Sequence, residues 1–77
     1  MYKILIVEDD ETIAGGLKNH LEKWNYQAEC MTDFKDVMGK FVEFEPQLVL
    51  LDIVLPFFNG FHWCQEIRKI SKVPIIF

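Results

Sequence analysis

The sequence predicts an α/β domain, a parallel sheet wound by helices in the order βαβαβαβ. Three observations predict it. Two short aliphatic runs, Ile4-Leu5-Ile6-Val7 and Leu48-Val49-Leu50-Leu51, each end in an acid; apolar stripes of helical period lie between strand-like runs; and turn residues stand at the joins. Strands that alternate with helices in this way pair in parallel through right-handed crossovers. With 77 residues the chain is at most one domain.

Ile4-Leu5-Ile6-Val7 is β-branched and continuous, as a strand buried on both faces requires. Ile13, Leu17, Leu21 and Trp24 then form one helical stripe. Asp10 and Glu11 stand at its front, where the helix dipole favours anions, and Asn25 after its end suits a left-handed cap. Gly15-Gly16 inside this helix costs roughly 1 kcal/mol per glycine relative to alanine. Residues 26–31 alternate weakly and read as an edge strand. Thr32-Asp33 offers the next N-cap, with Asp36 in the first turn, and Phe34, Val37, Met38, Phe41 and Phe44 form the second stripe, ended by Pro46. Leu48-Val49-Leu50-Leu51 is the second buried strand and runs into Asp52. Pro56 and Asn59-Gly60 mark a loop. Phe61, Cys64, Ile67 and Ile70 form the third stripe, with Arg68, Lys69 and Lys72 at its C-terminal end. Residues 73–77 begin a fourth strand, near whose start Pro74 is tolerable.

Composition excludes several classes. Half the residues are hydrophobic and a quarter charged, so the chain is globular rather than disordered. A net charge of −4 with no basic stripe argues against nucleic-acid binding by this segment. No apolar run approaches the ~18–20 residues of a membrane helix, and the first run is cut off by acids, unlike a signal peptide. Cys30 and Cys64 make no disulfide framework. A cytoplasmic protein without membrane contact is expected.

In open parallel sheets the working groups collect past the carboxyl ends of the strands. Glu8-Asp9-Asp10 follow the first strand and Asp52 the third, so several carboxylates face one crevice. Such a cluster raises its own pKa values unless a cation sits among them. Oxygen-only ligands with open positions suit Mg²⁺, which also neutralises an incoming phosphoryl group. An aspartate there can act as a nucleophile and form an acyl phosphate, and Asp52 is the best placed. The competing reading of Glu8-Asp9-Asp10 is helix capping on a solvated face. It explains Asp52 poorly, because a lone carboxylate at a buried strand end is costly unless paired or metal-bound. His20, His62, Cys30 and Cys64 lack zinc-ligand spacing. Phe57-Phe58 reads either as an exposed contact surface or as part of a lid.

Ile4-Leu5-Ile6-Val7-Glu8-Asp9-Asp10, Leu50-Leu51-Asp52-Ile53-Val54-Leu55-Pro56 and Asn59-Gly60 together resemble the response-regulator receiver domain of two-component signalling, over the whole chain. The resemblance implies a flavodoxin-like, doubly wound parallel sheet. It implies that Asp52 accepts a phosphoryl group from a sensor histidine kinase in the presence of Mg²⁺, so that the domain is a signalling module rather than an enzyme. Asp9 would be a direct metal ligand, Glu8 would act largely through water, and the backbone carbonyl of Val54 would be a further ligand. Asp10 would cap the helix, and Pro56 and Asn59-Gly60 would shape the loop. The acid pair looks most like the winged-helix (OmpR/PhoB-type) regulators, which bind DNA through a separate C-terminal domain. Residues 59–64 and 71–77 look like the subgroup answering antimicrobial peptides at the Gram-positive envelope.

The sequence stops in the fourth strand. Residues 1–77 are therefore expected to be an incomplete receiver, truncated after that strand, without the later Ser/Thr and Lys of the family or the DNA-binding domain. An apolar edge and a bared sheet face then predict self-association. Two other readings follow. One is an inactive interaction fragment. The other is an aspartate-nucleophile phosphatase similar to the haloacid dehalogenases, which need a second Asp where Val54 stands.

Overall fold

The computed structural model describes all 77 residues. Its elements are β1 (Lys3–Val7), α1 (Glu11–Lys23), β2 (Gln27–Cys30), α2 (Val37–Phe44), β3 (Leu48–Leu51), α3 (Gly60–Arg68) and β4 (Ile75–Ile76). The sheet has four strands in the order β2-β1-β3-β4, all paired in parallel. This is the expected doubly wound architecture, with β2 at an edge as its weak alternation predicts.

Side-chain alternation divides the core. Leu5, Val7, Val49 and Leu51 pack with Val37, Phe41 and Phe44 of α2 and with Trp63 and Ile67 of α3. Ile6 faces the other way, with Ala14 of α1 and Ala28 of β2. The first layer is closed, whereas on the second face Leu48 and Leu50 remain half-buried, because α1 alone packs there. The α1 stripe is consequently more exposed than expected: the helix's one buried residue is Ala14, which lies outside the stripe, while Ile13 and Leu17 are 52% and 37% exposed. Trp24 is exposed too.

Two further expectations are corrected. Helix α2 starts at Val37, capped by Asp36, whose side chain accepts from the Gly39 N–H at 3.0 Å. Asp33 instead holds a turn by accepting from the Lys35 N–H at 3.0 Å. Phe34 thus precedes the helix, although it still packs on the core. On α3 the buried face is Gly60, Trp63 and Ile67, and Phe61 and Ile70 are exposed. The left-handed Asn25 after α1 is as expected, at φ 67°.

Register places the site. Ile4 pairs with Leu48 and Val7 with Leu51, so Glu8 and Asp52 leave the sheet side by side. The Asp52 N–H donates to the Val7 carbonyl at 2.9 Å. At the opposite end Gln47 clamps the same ladder. Its N–H donates to the Lys3 carbonyl at 2.8 Å, and its Oε1 accepts from the Lys3 N–H at 3.0 Å.

Candidate functional site

Carboxylate oxygens of Glu8, Asp9 and Asp52 lie within 4.8 Å of one another at the carboxyl edge of β1 and β3. Glu8 and Asp52 are half-buried, and Asp9 is exposed. The Asp10 N–H donates to Glu8 Oε1 at 3.1 Å and fixes that side chain. Asp10 itself caps α1, accepting from the N–H groups of Thr12 and Ile13 at 3.0 and 3.2 Å. The acidic run is therefore split: Asp10 serves the helix, while Glu8 and Asp9 face Asp52.

No ion pair of the molecule reaches these three acids; the lysines in ion pairs, Lys40 and Lys69, bind glutamates elsewhere. Burial raises the Glu8 carboxyl above its ordinary value. The Asp10 N–H opposes that shift, and the charges of Asp52 and Asp9, with a hydrogen bond to Asp52, reinforce it. Three carboxylates with no internal counter-charge and an all-oxygen donor set fit a hard divalent cation such as Mg²⁺. A groove of about 310 Å³ lies beside Glu8 and Asp9, and another of about 260 Å³ beside Glu8 and Asp52.

The loop after β3 is tightly built. The Val54 N–H donates to Asp52 Oδ1 at 3.4 Å, which sets the Val54 peptide beside that carboxylate. The Gly60 N–H donates to the Ile53 carbonyl at 2.8 Å and closes the loop. A Cβ on Gly60 would collide with the Asp52 carbonyl oxygen and stand 2.9 Å from Ile53 Cα, so only glycine permits this approach. Asn59 caps α3, its Oδ1 accepting from the His62 N–H at 2.9 Å. Asn59-Gly60 is thus a helix start as well as the end of a loop.

Within the loop the Phe58 N–H donates to the Pro56 carbonyl at 2.9 Å, and Phe57 between them has φ 69°. This is a γ-turn of the rare positive-φ kind, which costs a bulky residue ~1–3 kcal/mol. Nothing in the residue types signals it, since Phe is among the last residues expected at positive φ.

Residues 4–77 match the family model described as the response regulator receiver domain. The chain belongs to that family. The transcriptional regulatory protein YvcP of Bacillus subtilis is 54% identical over the full 77 residues. The response regulator protein GraR of Staphylococcus aureus is 45% identical over 75 residues, 97% of this chain. The chain spans 32% and 34% of the lengths of these two relatives. Among solved structures, the N-terminal domain of the nisin resistance regulator NsrR, a lantibiotic response regulator, superposes with a TM-score of 0.90 at 47% identity, covering 97% of this chain and 63% of that one. This likeness agrees with the antimicrobial-peptide subgroup that residues 59–64 and 71–77 resemble. The response regulator TrrA, solved in complex with the histidine kinase ThkA, superposes with a TM-score of 0.86 at 33% identity, covering 97% of this chain and 66% of that one.

Proposed function

We propose that this receiver accepts a phosphoryl group on Asp52 from a sensor histidine kinase and, in the full-length protein, controls a DNA-binding transcription-regulator domain. The observation that carries the reading is the convergence of Glu8, Asp9 and Asp52 within 4.8 Å with no cationic side chain among them. Asp9 and Asp52 would hold Mg²⁺ with the backbone carbonyl of Val54, and Glu8 would act through water. When bound, the ion offsets negative charge on the cluster and on the incoming phosphoryl group. An Oδ of Asp52 attacks the phosphorus of a phosphohistidine. The P–O bond forms as the P–N bond breaks, and the imidazole leaves with the electron pair. The Val54 N–H orients the attacking carboxylate.

The test is treatment of the chain with acetyl phosphate and Mg²⁺, followed by intact mass. One added phosphoryl group is expected on the wild type and none on Asp52→Ala. Labelling that persists without Asp52 refutes the assignment.

No helix is long and apolar enough to cross a membrane, and a cytoplasmic location fits a kinase-fed receiver. A second reading, self-association, is favoured by the half-covered face, where Leu17 is 37% and Ile76 54% exposed around one groove. Sedimentation at micromolar concentration tests it: a monomer alone excludes it.

A further inference from the structure

The two edges of the sheet are built differently. On β2, Glu29 puts a charge at the rim and is held there by Lys40 at 3.4 Å. Charged side chains on an edge discourage further strand pairing. On β4 the run Val73-Pro74-Ile75-Ile76-Phe77 has no charged side chain. Its inner side is bonded to β3: the Val49 N–H donates to the Pro74 carbonyl at 3.0 Å, in a register that sets Val49 beside Ile75 and Leu50 beside Ile76. Successive residues of a strand turn their N–H and carbonyl to opposite sides, so those of Ile75 point off the open edge.

Charge separates the two ends of the same strand. Glu8, Asp9 and Asp52 have no cation among them at the carboxyl edge. Lys72, just ahead of β4, is exposed and in no ion pair. Because β4 runs parallel to β3, Lys72 lies toward the amino edge, five residues short of Phe77, or ~17 Å at ~3.3 Å per residue. It is too distant to neutralise the acids of its own chain.

We propose that two copies join along β4 about a two-fold axis, antiparallel, with Ile75 opposite Ile75, and that Lys72 of each copy supplies a cation to the acid cluster of the other. This specifies the self-association reading above and rests on it. Register carries the argument. With Ile75 paired to itself, the outward N–H and carbonyl of both copies bond to each other, and Val73 stands opposite Phe77. Lys72 of the second copy then falls one position beyond Phe77. Asp52 falls at the same level, because Leu50 is level with Ile76. Two strand spacings, ~10 Å, separate the backbone of that Lys72 from β3, and its flexible four-carbon stem extends across the gap. On the half-covered face, Pro74 of each copy stands beside Ile76 of the other, at the margin of the groove that Leu17 and Leu50 line. The contact is self-complementary and closes at two copies. It is a short ladder, well under the ~800 Å² per partner of a standard interface, so the dimer is weak.

The test mixes equal amounts of unlabelled and heavy-nitrogen-labelled chains and fixes them with a carbodiimide, which joins a lysine directly to a carboxylate. Mass spectrometry then maps the cross-linked peptides. The expected products join Lys72 to Glu8, Asp9 or Asp52, and about half of them pair a light with a heavy chain, as random exchange between copies requires. Sedimentation at micromolar to millimolar concentration is expected to show a dimer whose dissociation constant rises about fivefold or more in Lys72→Glu and is kept in Lys72→Arg. Lys72 is exposed, so both variants fold, and circular dichroism checks this. A monomer at every concentration overturns the self-association reading and this pairing with it. A dimer in which Lys72 cross-links are absent or join only chains of like label, or which Lys72→Glu leaves unmoved, overturns the β4 pairing and leaves self-association standing.

Discussion

Replacing Gly60 by alanine tests whether the loop after β3 is held by backbone contact. The added Cβ collides with the Asp52 carbonyl and stands 2.9 Å from Ile53 Cα and 3.0 Å from the Asp52 carbonyl carbon. All three obstacles are backbone, so no rotamer change relieves them. Overpacking of this kind costs ~1–3 kcal/mol, and helix propensity returns at most ~1 kcal/mol. A net loss of ~1–2 kcal/mol remains, and in a domain of this size ~1 kcal/mol moves the thermal midpoint by ~4–8 °C. Gly16→Ala is the control. A Cβ there meets nothing within 4 Å, so the helix gains ~0.5–1 kcal/mol. The two substitutions are chemically identical and opposite in sign. Thermal melts followed by circular dichroism read both. A Gly60→Ala midpoint at or above wild type refutes the close-approach argument.

The acid cluster should respond to divalent cations: Mg²⁺ at ten times its dissociation constant adds ~1.4 kcal/mol to wild-type stability, whereas Asp52→Asn loses most of that gain; equal gains in denaturant titrations would disprove the shared site. Glu8 gives a pH test. Its folded-state pKa is raised above the ordinary 4.5, so its stabilising contribution is full below that value and is lost as pH rises through the folded value. Without divalent cation, the difference in stability between wild type and Glu8→Gln should therefore shift against wild type above about pH 4.5; a difference that is flat with pH contradicts it. Asn59→Ala leaves the His62 N–H without its cap and costs ~1 kcal/mol, measurable by urea unfolding, while Asn59→Asp should retain most of the stability. Burial raises the Cys30 thiol above its ordinary 9.0, so iodoacetamide should modify it more slowly in the folded chain than in urea, and equal rates would refute that.

Much of this molecule is legible in its sequence, and the failures have physical causes. β1 and β3 are plain because both faces of each are aliphatic and each ends in an acid. The meeting of the acids is plain for the same reason: register carries Glu8 and Asp52 off adjacent strands. The helix faces are less so. On α3, Phe61-Cys64-Ile67 and Gly60-Trp63-Ile67 fit the helical period equally well, and only the sheet decides between them. On α1, close packing selects Ala14, a residue that a search for large apolar groups passes over. Asp33 and Asp36 are equivalent as cap residues until the chain direction after β2 is known. The Phe57 turn has no signal in residue type.

The Gln47 clamp has a kinetic consequence. Lys3 and Gln47 are 44 positions apart, the same separation as Glu8 and Asp52 at the far end of the ladder. Zipping β1 against β3 is therefore a long-range event that is slow to nucleate. If it starts at the clamp, the last step brings like charges together. Salt, by screening that approach, would then speed folding before any specific ion has a site to occupy.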